Sequence, residues 1–233
     1  MDQVIRIPRN QTALMQYLQR LVTTGHYFWT ADRIPVGKLP GFVAKWQLGF
    51  RLRADAPARA YRKRCGRASV HLCLHPDAAG TDRPDVAWWM LSTAGKEGLL
   101  GPGKLPGRVR DCRTVEGRLR CGDYELLEQP KSFSDASGKV KTMTTWTWRI
   151  TPARYREWEA LLVARAKQRD YQGIEATLDC LAAMPMFAGI RAQVARMRSE
   201  ANRMLAKVGG MPVELPSLPV MRMMSLWADS EGV

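Results

Sequence analysis

Neighbouring side chains on a β-strand point to opposite faces, and residues 141–151, KTMTTWTWRIT, keep that period throughout. The alternation commits this stretch to a half-buried strand with Trp146 and Trp148 on one face. Residues 68–75 repeat the pattern, with Val70, Leu72 and Leu74 alternating against His71, Cys73 and His75. VAWWMLST at 86–93 reads as another strand, and RVRDCRTV and RLRCGDYELL flank Glu116-Gly117 as the arms of a hairpin. The connections are too short for helical crossovers, so the expected sheet is mostly antiparallel, with about five strands.

Helical periods lie on either side of this region. VIRIP at 4–8 reads as a short first strand, and Asn10 then caps a helix with Leu14, Tyr17, Leu18, Leu21 and Val22 on one face. Gly25 ends it. A second helix runs near 39–48 and presents Phe42, Val43 and Trp46. A third, short and basic, lies in DAPARAYRKRCGRA between the cap Asp55 and the stop Gly66. After the strands, Thr151-Pro152 opens a helix with Tyr155, Trp158, Leu161 and Leu162 inward. Another follows near 170–183, and a long one over 187–208 buries Ile190, Val194, Met197, Ala201 and Leu205. The tail MPVELPSLPVMRMMSLW holds three prolines and many apolar residues, which predicts an extended segment that packs across the domain or docks on a partner. The fold class is α+β: N-terminal helices over 1–67, a central antiparallel region over 68–150, C-terminal helices over 151–208, and an apolar tail over 209–233. The first three form one integrated domain.

Charge narrows the function. The chain of 233 residues carries 36 Lys and Arg against 22 Asp and Glu, a net +14. Residues 1–67 hold thirteen of those cations against three aspartates, a local excess of +10. Arg59, Arg62, Lys63 and Arg64 crowd one short helix, where like charges repel. A phosphate backbone is the simplest partner that offsets this. Five cysteines without a CxxC make a disulfide framework and a four-cysteine zinc site poor explanations, and a reducing cytoplasm fits them. The N-terminus lacks an apolar signal core and no stretch reaches the ~18 apolar residues of a spanning helix, so the expectation is a soluble cytoplasmic protein with no membrane partner. High Arg, Trp and Ala usage suggests a bacterial source.

GLLGPGKL at 98–105 meets the glycine-and-lysine part of a phosphate-binding P-loop. Leu105 stands where a hydroxyl residue should hold magnesium, Pro106-Gly107 prevents a helix from starting, and Pro102 removes an amide donor. The loop is therefore read as a strand connection, with Lys96, Lys104 and Arg108 available to a nucleic-acid backbone.

His71, Cys73 and His75 share a strand face, yet no acidic cluster completes a ligand set. No metal and no cofactor is expected. His26 follows the first helix beside Tyr27 and near Arg33 and Lys38. The helix dipole favours a histidine there, and a histidine among cations can also act as a general base near neutral pH. The short strand, first helix and following His26 resemble the start of Cas6-like RNA-processing endonucleases. The likeness stops near His26 and includes no diagnostic motif, and the family's glycine-rich loop is not recognisable in Gly98–Gly107. It implies metal-independent RNA cleavage with His26 as the catalytic base. Among the aromatics, Phe28 and Trp29 read as loop residues, one of Trp88 and Trp89 and also Trp158 as core, and Trp146 and Trp148 as either core or a stacking platform.

The leading expectation is a non-catalytic nucleic-acid-binding protein, a subunit of a larger nucleoprotein assembly. Arg59, Arg62, Lys63, Arg64 and Arg67 contact phosphates with help from Arg51 and Arg53, and Arg191 and Arg198 on the long C-terminal helix add a second surface. The alternatives are the His26 ribonuclease and a protein-interaction adaptor that docks through residues 211–227.

Overall fold

The computed structural model describes residues 7–52, 54–76, 85–101, 108–134, 137–213 and 217–227. The fold is α+β, with six α-helices and two antiparallel sheets among these residues. The chain divides into two compact units, Met1–Leu119 with Met224–Val233, and Arg120–Met223. The strands thus belong to two sheets of four and three rather than to one of about five.

In the first unit, helix α1 (Gln11–Thr23) starts where Asn10 Oδ1 accepts the Ala13 N–H at 2.9 Å. Its buried face includes Leu14, Leu18, Leu21 and Val22, each such side chain contributing about 1.5–3 kcal/mol relative to exposure. Strand β1 (Phe28–Pro35) follows, then a short turn and α2 (Leu39–Phe50), α3 (Ala56–Arg64), β2 (Val70–Pro76), β3 (Asp85–Ser92) and β4 (Arg110–Asp111). The sheet order is β2-β3-β1-β4. Phe28 and Trp29 therefore open an interior strand and are not loop residues: Phe28 pairs with Ser92 and Trp29 with Leu91. Asp32 and Arg33 disguise this strand locally, and its partner β3, apolar on both faces, supplies the pairing.

The two faces of this sheet differ. Val70, Leu72 and Leu74 on β2 and Val86, Trp88 and Met90 on β3 form a core with Trp46 of α2, and the Phe42 ring lies 5.0 Å from Trp88. The odd-numbered residues of β2 face the other way, where Tyr17 of α1 meets His71. Both Trp88 and Trp89 are buried, one on each face.

The described part of the glycine-rich loop is packed against this unit. Leu99 is buried, and its N–H donates to Ser92 Oγ at 3.3 Å. A Cβ on Gly98 would meet the Ala68 Cβ at 2.6 Å, so this glycine serves close chain packing. Residues 102–107, with Lys104, lie outside the described residues, as do 4–6 of the expected first strand. Pro8 makes one isolated antiparallel bridge, to Trp227.

The second unit begins with β5 (Arg120–Cys121), β6 (Tyr124–Ser134) and β7 (Val140–Ile150), in that order across the sheet. Gly122-Asp123 makes the two-residue turn between β5 and β6, with Gly122 at φ 56°. The expected hairpin at Glu116-Gly117 is replaced: Arg110–Asp111 pairs with β1, whereas Arg120–Cys121 pairs with β6. Gly117 instead accepts the Trp29 indole N–H at 2.6 Å, a long-range contact that no local pattern discloses. Helices α4 (Pro152–Gln168), α5 (Tyr171–Ala182) and α6 (Ala188–Lys207) complete the unit. Gln193 of α6 clamps the end of β7, accepting the Ile150 N–H at 2.7 Å and donating to the Ile150 carbonyl at 3.1 Å. Trp146 and Trp148 are both buried and offer no stacking platform. Trp158 is only half-buried, with the Arg154 guanidinium 4.8 Å above its ring. No described helix is long and apolar enough to cross a membrane.

Candidate functional site

Helix α1, helix α3 and the β2 edge of the first sheet line an open cavity of about 390 Å³. Tyr17, Arg20 and Leu21 come from α1, Thr24 and His26 from the turn after it, and Arg59, Ala60 and Lys63 from α3. Ser69, His71 and Thr93 line the sheet side.

Local structure fixes each group. Gly25, at φ 97°, turns the chain so that the His26 N–H donates back to the Leu21 carbonyl at 3.1 Å. His26 Nδ1 lies 3.0 Å from the same carbonyl. A carbonyl oxygen only accepts, so Nδ1 carries the proton and Nε2 keeps its lone pair. Nε2 is buried without a hydrogen-bond partner, and so is Ser69 Oγ. The His26 and His71 rings meet edge to face, 4.8 Å between centroids. His71 Nδ1 in turn lies 3.1 Å from the Tyr17 hydroxyl.

Helix α3 is held over the cavity by its own contacts. Asp55 caps it, accepting the Ala58 N–H at 2.8 Å. Beyond its end, Ala68 donates to the Lys96 carbonyl at 2.8 Å and Lys96 to the Gly66 carbonyl at 3.0 Å. Arg62 points inward, 5% exposed. Its Nε and Nη2 donate to the Ala68 carbonyl at 3.2 and 3.1 Å, and Nη1 pairs with Glu97 at 3.2 Å. Arg62 thereby ties the helix to the sheet edge and aims Arg59 and Lys63 at the cavity.

Burial holds His26 below the usual histidine range, and Arg59 and Lys63 add to this against the opposing Leu21 carbonyl. His71 is pushed down to about 3 by burial, reinforced by His26 and Arg59. Burial raises the Tyr17 phenol. Near pH 7 the cavity therefore holds two neutral imidazoles, a protonated phenol and three cations. Among the described residues no carboxylate lines it. The arrangement can bind an anion, and the free Nε2 lone pair of His26 can accept a proton. Neither histidine offers an imidazolium as general acid.

The remaining expected contacts divide. Arg64 lies over the Tyr61 ring at 6.0 Å on the exposed part of α3. Arg67 pairs with Glu97 at 3.3 Å and bridges to Lys96, which is exposed. Arg51 is exposed at the left-handed C-cap of α2, and Arg108 is exposed beyond the loop. Arg53 lies outside the described residues. Arg191 and Arg198 are half-buried on α6 of the second unit. The sequence reading overlooked Arg20 as well as the meeting of His26 with His71, forty-five positions apart. The one available signal was that both belong to inward positions at the junction of a capped helix and an alternating strand.

His75 stays on the His71 strand face without a metal cluster around it: among the described residues no group of three or more His, Cys, Asp or Glu could hold an ion. The tail is bound in parts. Asn202 clamps Val213 by two hydrogen bonds of 2.9 and 3.1 Å, while Leu226 accepts the Arg9 N–H at 3.1 Å and Trp227 rests on the Tyr17 ring at 4.9 Å. Met211, Val220 and Met223 remain exposed. No known protein family, no curated protein and no solved structure matches this chain.

Proposed function

We propose that this protein binds nucleic acid through its phosphate backbone, using the basic face built by α1 and α3, as a subunit of a larger nucleoprotein assembly. One observation carries the proposal: Arg20, Arg59 and Lys63 converge from two helices on a single cavity with no acidic side chain among its lining residues. Such a constellation is unfavourable in isolation and is relieved by an anion. The local excess of +10 in residues 1–67 extends the same field over the surrounding surface. The assembly part of the proposal draws on the tail, whose exposed Met211, Val220 and Met223 offer apolar area to a protein partner.

Binding is expected to weaken linearly in log salt. The double variant Arg59→Ala/Lys63→Ala, read by anisotropy with a labelled oligonucleotide across salt concentrations, should make the slope shallower by about 1.4–1.8. A slope identical to wild type would remove these two residues from the interface.

A second reading, a metal-independent ribonuclease with His26 as base, is favoured by its Nε2 lone pair beside three cations and by the adjacent His71. Backbone binding alone predicts that single-stranded RNA held with the protein in EDTA stays intact. Cleavage products that vanish in His26→Ala would establish the second reading in its place.

A further inference from the structure

We propose that the cavity between α1, α3 and the β2 edge is a site for the terminal phosphomonoester of a nucleic-acid strand; this rests on the nucleic-acid-binding reading above and names the ligand of the same site. A cavity of about 390 Å³ between two helices and a sheet edge has room for a terminal phosphate and the sugar that carries it. Charge points the same way. A diester carries one negative charge, whereas a monoester is close to two at neutral pH, and Arg20, Arg59 and Lys63 present three cations to this one space.

The unmet hydrogen-bonding groups of the floor complete the match. Ser69 Oγ is buried without a partner, and its O–H finds an acceptor in a phosphate oxygen. His26 Nε2 is a buried acceptor lacking a donor, because Nδ1 holds the proton against the Leu21 carbonyl. In an RNA strand the 2′-hydroxyl of the terminal ribose supplies that donor. One orphan donor and one orphan acceptor on residues that line the same cavity as three cations are complementary to a terminal ribonucleotide; buried groups left unmet are uncommon, and a ligand that meets them binds tighter.

The test compares three internally labelled single-stranded oligonucleotides of one sequence, ending in a 5′-phosphate, in a 3′-phosphate, or in hydroxyls at both ends. At fixed salt, one phosphorylated form is expected to bind at least about tenfold tighter than the hydroxyl-ended strand, from nearly two added negative charges among three cations. In Ser69→Ala and in Lys63→Ala, both checked for an unchanged melting transition, that advantage should shrink severalfold. Equal affinity for all three strands would overturn the assignment and leave backbone binding standing. No binding of any strand at low salt would overturn both. Adenosine monophosphate serves as competitor: displacement only at far higher concentration than the phosphorylated strand supports the strand end as ligand. Displacement at equal concentration keeps the monoester chemistry and overturns the strand as its source.

Discussion

Replacing Arg62 with alanine is expected to lower stability by about 2–3 kcal/mol, the cost of leaving a buried carbonyl without its donors together with the packing that is lost. Its neighbours on α3 should behave differently. Arg62 is 5% exposed, and its guanidinium satisfies the Ala68 carbonyl twice while meeting Glu97. Truncation leaves that carbonyl without its donors, opens a cavity under α3, and leaves Glu97 with Arg67 alone. Lys63, exposed on the same helix, should cost no more than about 0.5 kcal/mol when changed to alanine. Urea unfolding followed by tryptophan fluorescence separates the two. If Arg62→Ala and Lys63→Ala gave equal stabilities and equal losses of oligonucleotide affinity, Arg62 would be a surface contact after all. The distinction matters for any charge-neutralising experiment on this helix. A triple change at Arg62, Lys63 and Arg64 would mix a folding defect with a binding defect, whereas Arg59 and Lys63 can be changed together without touching the tie to the sheet.

Capping and periodicity made much of this fold legible. Asn10 and Asp55 cap their helices as their positions before an apolar or basic run predict, and Pro152 sits in the first turn of α4. Alternation located β2 and β7, and a continuous apolar run located β3. What it could not provide was partnership. Strand β1 carries Asp32 and Arg33 in its second half and becomes a strand because β3 needs a neighbour on each side. The Glu116-Gly117 turn has hairpin chemistry, but Gly117 is fixed by the Trp29 indole, so the flanking strands part into different sheets. The candidate site was half legible for the same reason. Arg59, Lys63 and His26 stand out by charge and position. Arg20 and His71 join them only through the packing of α1 on β2. Arg62, indistinguishable from Lys63 in a run of basic residues, turns inward because one helical step places it over the Ala68 carbonyl.

Acidification provides the sharpest test of the paired histidines. In the folded chain His71 is pushed down to about 3 by burial, His26 and Arg59; in the unfolded chain it returns to about 6.5. Between those values the unfolded state holds a proton that the folded state does not. Stability therefore rises with pH at about 1.4 kcal/mol per unit in this window and levels off above it. The contribution is fully present above pH ~6.5 and is lost progressively as pH falls towards 3, about 2 kcal/mol of it by pH 5. His26, also held low, acts in the same direction and sharpens the loss. Other groups titrate over this range, and the comparison that cancels them is wild type against His71→Asn, which keeps a polar group opposite Tyr17 and removes the titration. The stability difference between the two proteins should shift by about 2 kcal/mol in favour of the variant between pH 7 and pH 5. Parallel curves over that interval would mean that His71 takes up its proton in the folded chain as easily as in the unfolded one. The cavity would then hold a cationic imidazolium beside Arg59 at mildly acidic pH, and a general acid would be available to the ribonuclease reading that the neutral pair does not supply.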